Sequence, residues 1–167
     1  MTELRVFNAP AILAALDRHQ VEYVIVGGYA AQLRGATKPT TDIDVTPATT
    51  PENLDRLAAA LRALGAGIRV DDLPEGLPFD TSAEALRGIR MLNLRTPHGD
   101  LDIAFTPDGT AGYDDLSRSA ERRTVAGIEI QLASLADIIR SKEAAGRAKD
   151  FVALPELHRL AQRSDSS

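Results

Sequence analysis

Apolar residues along this chain recur with two different periods, and the changes of period mark out its elements. In "NAPAILAALDRH" (8–19), Ile12, Leu13 and Leu16 fall on one face of a 3.6-residue repeat; Asn8 stands at the cap position and Pro10 in the first turn, so a helix is predicted. "EYVIVGG" (22–28) is a short, β-rich apolar run ending in two glycines, which predicts a buried strand. "YAAQLRG" (29–35) then reads as a short helix stopped by Gly35, and "DIDVTP" (42–47) as a second strand after a "KPTT" connector. Thr50 caps the next helix, with Pro51 at its first position; its stripe Leu54, Leu57, Leu61, Leu64 runs to Gly65. Residues 71–83, rich in Asp, Pro and Gly, read as a loop. "IRMLNLRTPHGDLDIAF" (89–105) alternates with period two on both sides of Pro97-His98-Gly99 and predicts a hairpin; "RRTVAGIEIQLA" (122–133) predicts a second strand pair around Ala126-Gly127. Ser134 caps "LADIIRSKEAA", with Gly146 near the helix end. "AKDFVALPELHRLAQ" is helical in pattern, but Pro155 is expected to break or kink it. The order of elements implies an α/β (α+β) fold, a mixed β-sheet flanked by helices with further helices at the C-terminal end. One domain over residues 1–163 is expected, with residues 164–167 as a disordered polar tail.

Composition narrows the classes. The chain has 167 residues, 44% hydrophobic and 26% charged, as in a globular protein with room for a core. Only 4% are aromatic, so the core must be mainly Leu, Ile, Val and Ala. A net charge of -5 argues against non-specific coating of nucleic acid, though not against a local basic site. With no cysteine, disulfides and thiolate metal sites are excluded. "MTELRVFNAP" lacks the basic and apolar regions of a signal peptide, and no apolar run approaches the roughly 20 residues of a membrane span, so a cytoplasmic location without membrane contact is expected.

The chemistry is concentrated in "VGGYAAQLRGATKPTTDIDV" (26–45). On a strand, Asp42 and Asp44 share a face while Ile43 and Val45 point into the core. Two carboxylates so close repel unless a cation lies between them, and an oxygen-only donor set favours a hard ion, Mg²⁺ or Mn²⁺. Asp102 in "LDI" is a third strand carboxylate, and Asp100 shares its face. If the 89–105 hairpin pairs beside the Asp42 strand, Asp102 joins the other two. Three convergent carboxylates suit metal ions holding a triphosphate, with Asp102 placed to accept the proton of an attacking hydroxyl. Gly27 and Gly28 let the backbone turn tightly and approach a ligand, and the helix after them offers N–H groups to phosphate.

This segment resembles the signature of the DNA polymerase beta-like nucleotidyltransferase superfamily, and its closer form is similar to the AbiEii-type enzymes, which include toxins of toxin–antitoxin pairs. "TPHGDLDIAF" resembles that family's third-carboxylate hairpin, and "LADIIRSKEAAGRAKDFVALPEL" its C-terminal helical segment. A common arginine before the first aspartate is here Lys38, which keeps the charge without the bidentate fork. The resemblance implies that Asp42, Asp44 and Asp102 bind the metal and form the catalytic centre, and that Gly27 and Gly28 face the triphosphate. It implies that Lys142 reaches phosphate with Asp150 oriented beside it. Arg140, Lys142, Arg147 and Lys149 lie within ten residues and form a local basic patch on the sequence. Arg34 and Lys38 are weaker candidates for a nucleotide contact. Tyr29 is open either to stacking on a base or to packing. His98 reads as a polar turn residue, His19 and His158 have no partners at metal-ligand spacing, and Asp71-Asp72 and Asp114-Asp115 read as loop charges.

The implied activity is metal-dependent transfer of a nucleotidyl group from an NTP to a hydroxyl. The favoured acceptor is RNA, such as a tRNA 3′ end, or a protein, with a cognate toxin or antitoxin as partner. A small aminoglycoside-like acceptor is one alternative; a catalytically silent module that binds nucleotide or a partner protein is another.

Overall fold

The two aspartates of "DIDV" lie on a strand deep inside an eight-stranded mixed sheet, and the rest of the chain is arranged around it. In the computed structural model, which describes residues 6–165, the elements follow the order α1 (Ala9–Arg18), β1 (Tyr23–Val26), α2 (Gly27–Leu33), β2 (Asp42–Pro47), α3 (Pro51–Ala63), β3 (Gly67–Val70), β4 (Leu73–Leu77), α4 (Ala83–Leu86), β5 (Met91–Thr96), β6 (Gly99–Ala104), α5 (Tyr113–Ser119), β7 (Glu121–Val125), β8 (Ile128–Leu132), α6 (Leu135–Ala145) and α7 (Ala148–Asp165). The strand order is β4-β3-β5-β6-β2-β1-β8-β7. β2 runs antiparallel to β1 and parallel to β6; β1 runs parallel to β8. This is the mixed sheet flanked by helices that the hydrophobic pattern implies. Among the described residues, no helix is long and apolar enough to cross a membrane.

Local signals account for most element ends. The Asn8, Thr50 and Ser134 side chains accept hydrogen bonds from the N–H groups of Ala11, Asn53 and Asp137, capping α1, α3 and α6. Gly146 ends α6 in the left-handed conformation. The two positive-φ residues Ala126 and Gly127 turn β7 into β8. Alternation then sorts the strands. Ile43, Val45, Leu101 and Ile103 are fully buried in one core with Ile12, Leu13, Leu16, Leu57 and Leu61, and the aspartates between them face the other side.

Several segments depart from the sequence expectations. The 71–83 loop contains β4, an edge strand that tolerates Pro74 because one of its sides has no partner. A Cβ on Gly67 would stand 2.9 Å from the Glu75 carbonyl oxygen, so β3 and β4 approach closely only because glycines face each other there. Arg95 ties this hairpin down by donating to the carbonyls of Val70 (3.0 Å) and Leu73 (2.7 Å). Second, α2 begins at Gly27 rather than Tyr29. Third, Pro155 does not break α7: burial of Leu154 and Leu157 on the two sides of it holds the helix through the missing hydrogen bond. Fourth, α7 continues to Asp165, so residues 164 and 165 of the expected tail are helical; 166 and 167 lie outside the described residues.

Gly27 is the position where the fold and the site meet. It has φ of +70°, and a Cβ there would overlap the Asp44 carboxylate. Gly28 has no such constraint; a Cβ there would lie 3.5 Å from the Thr40 hydroxyl, an ordinary contact. Gly27→Ala is therefore expected to destabilise the protein by about 1–3 kcal/mol and to displace Asp44, whereas Gly28→Ala costs less than about 1 kcal/mol. Urea unfolding of the two variants checks this ordering.

Candidate active site

β2 and β6 run parallel in a register that sets Asp42 beside Asp100 and Asp44 beside Asp102. Side chains at matched positions share a face, so two D-x-D strands lay four carboxylates side by side. Asp42, Asp44 and Asp102 each offer an oxygen within 4.8 Å of the others. Three further contacts aim them. The Thr40 hydroxyl donates to Asp42 Oδ1 at 2.7 Å. The Gly28 N–H donates to the Asp44 carboxylate. Arg69 on β3 donates from Nη2 to Asp102 Oδ1 at 2.6 Å, and its Nε lies 3.2 Å from Asp100 Oδ2.

Crowding and burial act on the protons of this cluster. Burial pushes the Asp44 carboxyl up to about 7, and the charges of Asp42 and Asp102 push in the same direction against the Gly28 N–H. Burial also raises Asp102, to about 6, although the Arg69 guanidinium beside it opposes the rise. The Arg69 guanidinium offsets only part of the repulsion among these carboxylates. The donor set is all hard oxygen, which fits a divalent cation of the Mg²⁺ type and not a thiophilic metal.

The carboxylates form the floor of a cleft of about 890 Å³, within the range of small-molecule and cofactor sites. Its lining includes Gly27, Gly28, Lys38, Lys142, Arg147 and Lys149. These candidates of the sequence reading gather here, while Asp150 lies behind them. Asp150 is fully buried; it accepts from Arg147 Nε (2.7 Å) and Nη2 (3.2 Å) and lies 3.6 Å from Lys142 Nζ. Burial alone would raise its carboxyl, but these partners outweigh that and hold it below the usual carboxylate range. It thereby pairs with two cations of the cleft lining.

Of the basic patch, Lys142, Arg147 and Lys149 reach the cleft and Arg140 does not. Arg140 turns to Asp115 (2.9 Å) and Asp137 (3.0 Å) and is absent from the cleft lining, while Lys142 and Arg147 share the charge of Asp150. Asp115, read as a loop charge, belongs to the first turn of α5. Arg34 is structural: it donates to the carbonyl of Ala133 (3.1 Å) and to Glu121 (2.5 Å), fastening α2 to the β7–β8 pair. Tyr29 packs edge-on against Phe7, ring centroids 6.1 Å apart. Sequence reasoning missed Arg69 altogether. Its strand has four residues and no alternating signal, and only the folded sheet brings it to Asp102.

No protein-family model matches the chain, and no curated protein is similar to it in sequence. Solved structures do share its fold. A lincomycin-bound lincosamide antibiotic adenylyltransferase, LnuA, superposes with a TM-score of 0.60 at 14% identity, over 93% of this chain and 99% of that one. The antibiotic-resistance factor ANT(2'')-Ia superposes with a TM-score of 0.56 at 22% identity, over 92% and 80%. A Thermotoga maritima protein assigned as a nucleotidyltransferase gives 0.53 at 15%, over 90% and 89%. The likeness is one of architecture across nearly the whole chain: this sheet and its helices have the nucleotidyltransferase fold.

Proposed function

We propose that this protein is a divalent-cation-dependent nucleotidyltransferase that moves an NMP from an NTP to a hydroxyl of a small-molecule acceptor. The observation that carries the reading is the convergence of Asp42, Asp44 and Asp102 on the floor of the cleft, beside Gly27 and Gly28 and under a wall of basic side chains. Asp42, Asp44 and Asp102 would hold Mg²⁺ or Mn²⁺, which when bound supplies Lewis acidity at the phosphate oxygens. Lys142 and Arg147, fixed by Asp150, are placed to bind the triphosphate, and Lys149 and Lys38 add exposed charge at the cleft lining. Asp102, the third carboxylate of the cluster, is the group we assign to accept the proton of the acceptor hydroxyl. The hydroxyl oxygen forms a bond to the α-phosphorus, the bridge to the β-phosphate breaks, and pyrophosphate leaves.

Two observations favour a small acceptor over RNA or a toxin–antitoxin partner. A polyanion needs unpaired cations to replace its counterions, and three of the four basic residues between 140 and 149 are already paired with aspartates in a chain of net charge -5. The fold is also shared over nearly its full length with LnuA, an antibiotic adenylyltransferase, and with ANT(2'')-Ia, one structure of which holds adenylyl-2''-tobramycin.

Incubation with Mg²⁺ and each α-labelled NTP, in separate tubes with hydroxylated antibiotics, total RNA or cell protein, tests the reading. Label is expected on a small molecule, and only with chains that retain both Asp42 and Asp44; Asp42→Ala should fall to background with its fold intact. Label on RNA or protein would overturn the acceptor class, and full activity of Asp42→Ala would overturn the site. Lys142→Ala should raise the KM for NTP at least about tenfold. Mn²⁺ affinity should stay unchanged in that variant, because Lys142 pairs with Asp150.

The raised Asp44 carboxyl gives a pH test. The folded chain holds this proton more tightly than the unfolded one, so its contribution to stability is fully present below the ordinary carboxylate value and is lost as pH rises through about 7. In the presence of a chelator, Asp44→Asn should melt at least about 3 °C above wild type at pH 8, and the gap should close by pH 5. Mn²⁺ affinity of the wild type should climb from pH 5 to pH 8 as the same proton leaves. Melting curves and titrations at three pH values decide both.

A further inference from the structure

Arg69 is a cation from outside the D-x-D strands that touches the cluster. It comes from β3, two strands away from β6, and its register carries it over Asn93 of β5 to the carboxylate face. Its guanidinium is held by three groups. Nη2 donates to Asp102 Oδ1 at 2.6 Å and to the Leu94 carbonyl at 3.2 Å, and Nε stands 3.2 Å from Asp100 Oδ2. The last contact has the distance of a hydrogen bond without its geometry, so the buried Nε is left without a hydrogen-bond partner. A guanidinium has five donors in a rigid plane. Nε and Nη2 lie on one edge of that plane, so the guanidinium spans both carboxylates, hydrogen-bonded to Asp102 and only charge-paired with Asp100; turning it onto Asp100 would give Nε its acceptor and leave Asp102 to another cation.

We propose that Arg69 competes with a divalent cation for Asp102, and that Asp100 receives the guanidinium when the cation takes its place. The proposal rests on the cation-dependent reading of the cluster. Its consequence is a site whose affinity for the free ion is held down by a resident positive charge, so that an ion arriving with a triphosphate is favoured over the ion alone. Asp100 explains the fourth carboxylate of the two D-x-D strands, which lies outside the three that converge. Arg69 is on this view a positioning residue, acting through Asp102.

Competition makes a prediction opposite to that of a merely structural role, because losing Arg69 should improve binding. Titration of Mn²⁺ into the full-length chain at pH 7.5, followed by the paramagnetic resonance of the free ion, is expected to show Arg69→Met binding at least about tenfold more tightly than wild type. Arg69→Gln, which keeps an N–H donor within reach of the Leu94 carbonyl, should tighten binding to a similar degree and covers the case in which the methionine variant does not fold. In an Asp102→Asn background the same Arg69 substitutions should change affinity by less than about twofold. Equal tightening in both backgrounds would mean that Arg69 acts only as a distant charge and would overturn the proposal. Unchanged or weaker binding in both folded Arg69 variants would overturn it as well, leaving the carboxylate site standing. If the wild type and every variant fail to bind Mn²⁺ at millimolar concentration, the cation reading fails and the proposal falls with it.

Discussion

Repulsion among carboxylates on two neighbouring parallel strands is the constraint around which the molecule is organised. β2 and β6 are paired in a register that brings four aspartates together on one face of the sheet. Each is anchored from behind by a fully buried aliphatic neighbour, Ile43, Val45, Leu101 or Ile103, so the strands cannot slip to relieve the crowding without exposing the core. Such a cluster persists only with compensating positive charge or retained protons. The fold supplies some of each: a guanidinium from β3, an N–H from Gly28, a hydroxyl from Thr40, and raised carboxyls at Asp44 and Asp102.

Around that cluster, the chain uses its cations sparingly. Asp150 carries no solvent exposure and serves as a hub that turns Lys142 and Arg147 into fixed features of the cleft wall. A buried carboxylate with two basic partners keeps their charged ends in place at a lower conformational cost than two free, flexible side chains. Arg34, by contrast, is spent on the frame: it holds the C-terminal end of α2 against the end of β8. Helix α2 is thus fixed at its C-terminal end by Arg34 and at its Gly27 end by the close approach of the Asp44 carboxylate. Backbone geometry at Gly27 and side-chain placement at Asp44 are two aspects of one packing requirement.

Much of the site was legible before folding because its signals are local. The D-x-D spacing on a strand fixes a common face by pleat geometry alone, and the caps at Asn8, Thr50 and Ser134 act within one helical turn. The hairpin at Pro97-His98 announced that Asp102 lies on a strand. The edge pair β3–β4 was opaque for the opposite reason: Gly67, Pro74 and Gly76 score as turn formers, and only their close backbone approach makes them a hairpin. Pro155 carried a strong local message that was outweighed by burial of its neighbours Leu154 and Leu157. The four-cation run at 140–149 looked like one patch because sequence distance ignores that Arg140 and Lys142 sit on α6 while Arg147 and Lys149 follow its end. In space Arg140 departs toward Asp115, and Asp150 takes charge from two of the others.

Residue order alone determined the alternation that pairs each aspartate with a core neighbour, the glycine turn that precedes them and the mixed sheet they sit in. These depend on side-chain period and backbone preference, which act over a few residues. The tertiary structure alone decided that β2 and β6 would be parallel neighbours in matching register, that Arg69 would reach Asp102 from a strand 33 residues earlier, and that Asp150 would quench part of the basic run. Those outcomes turn on contacts between segments far apart in the chain, where electrostatics and packing are settled jointly by the whole core.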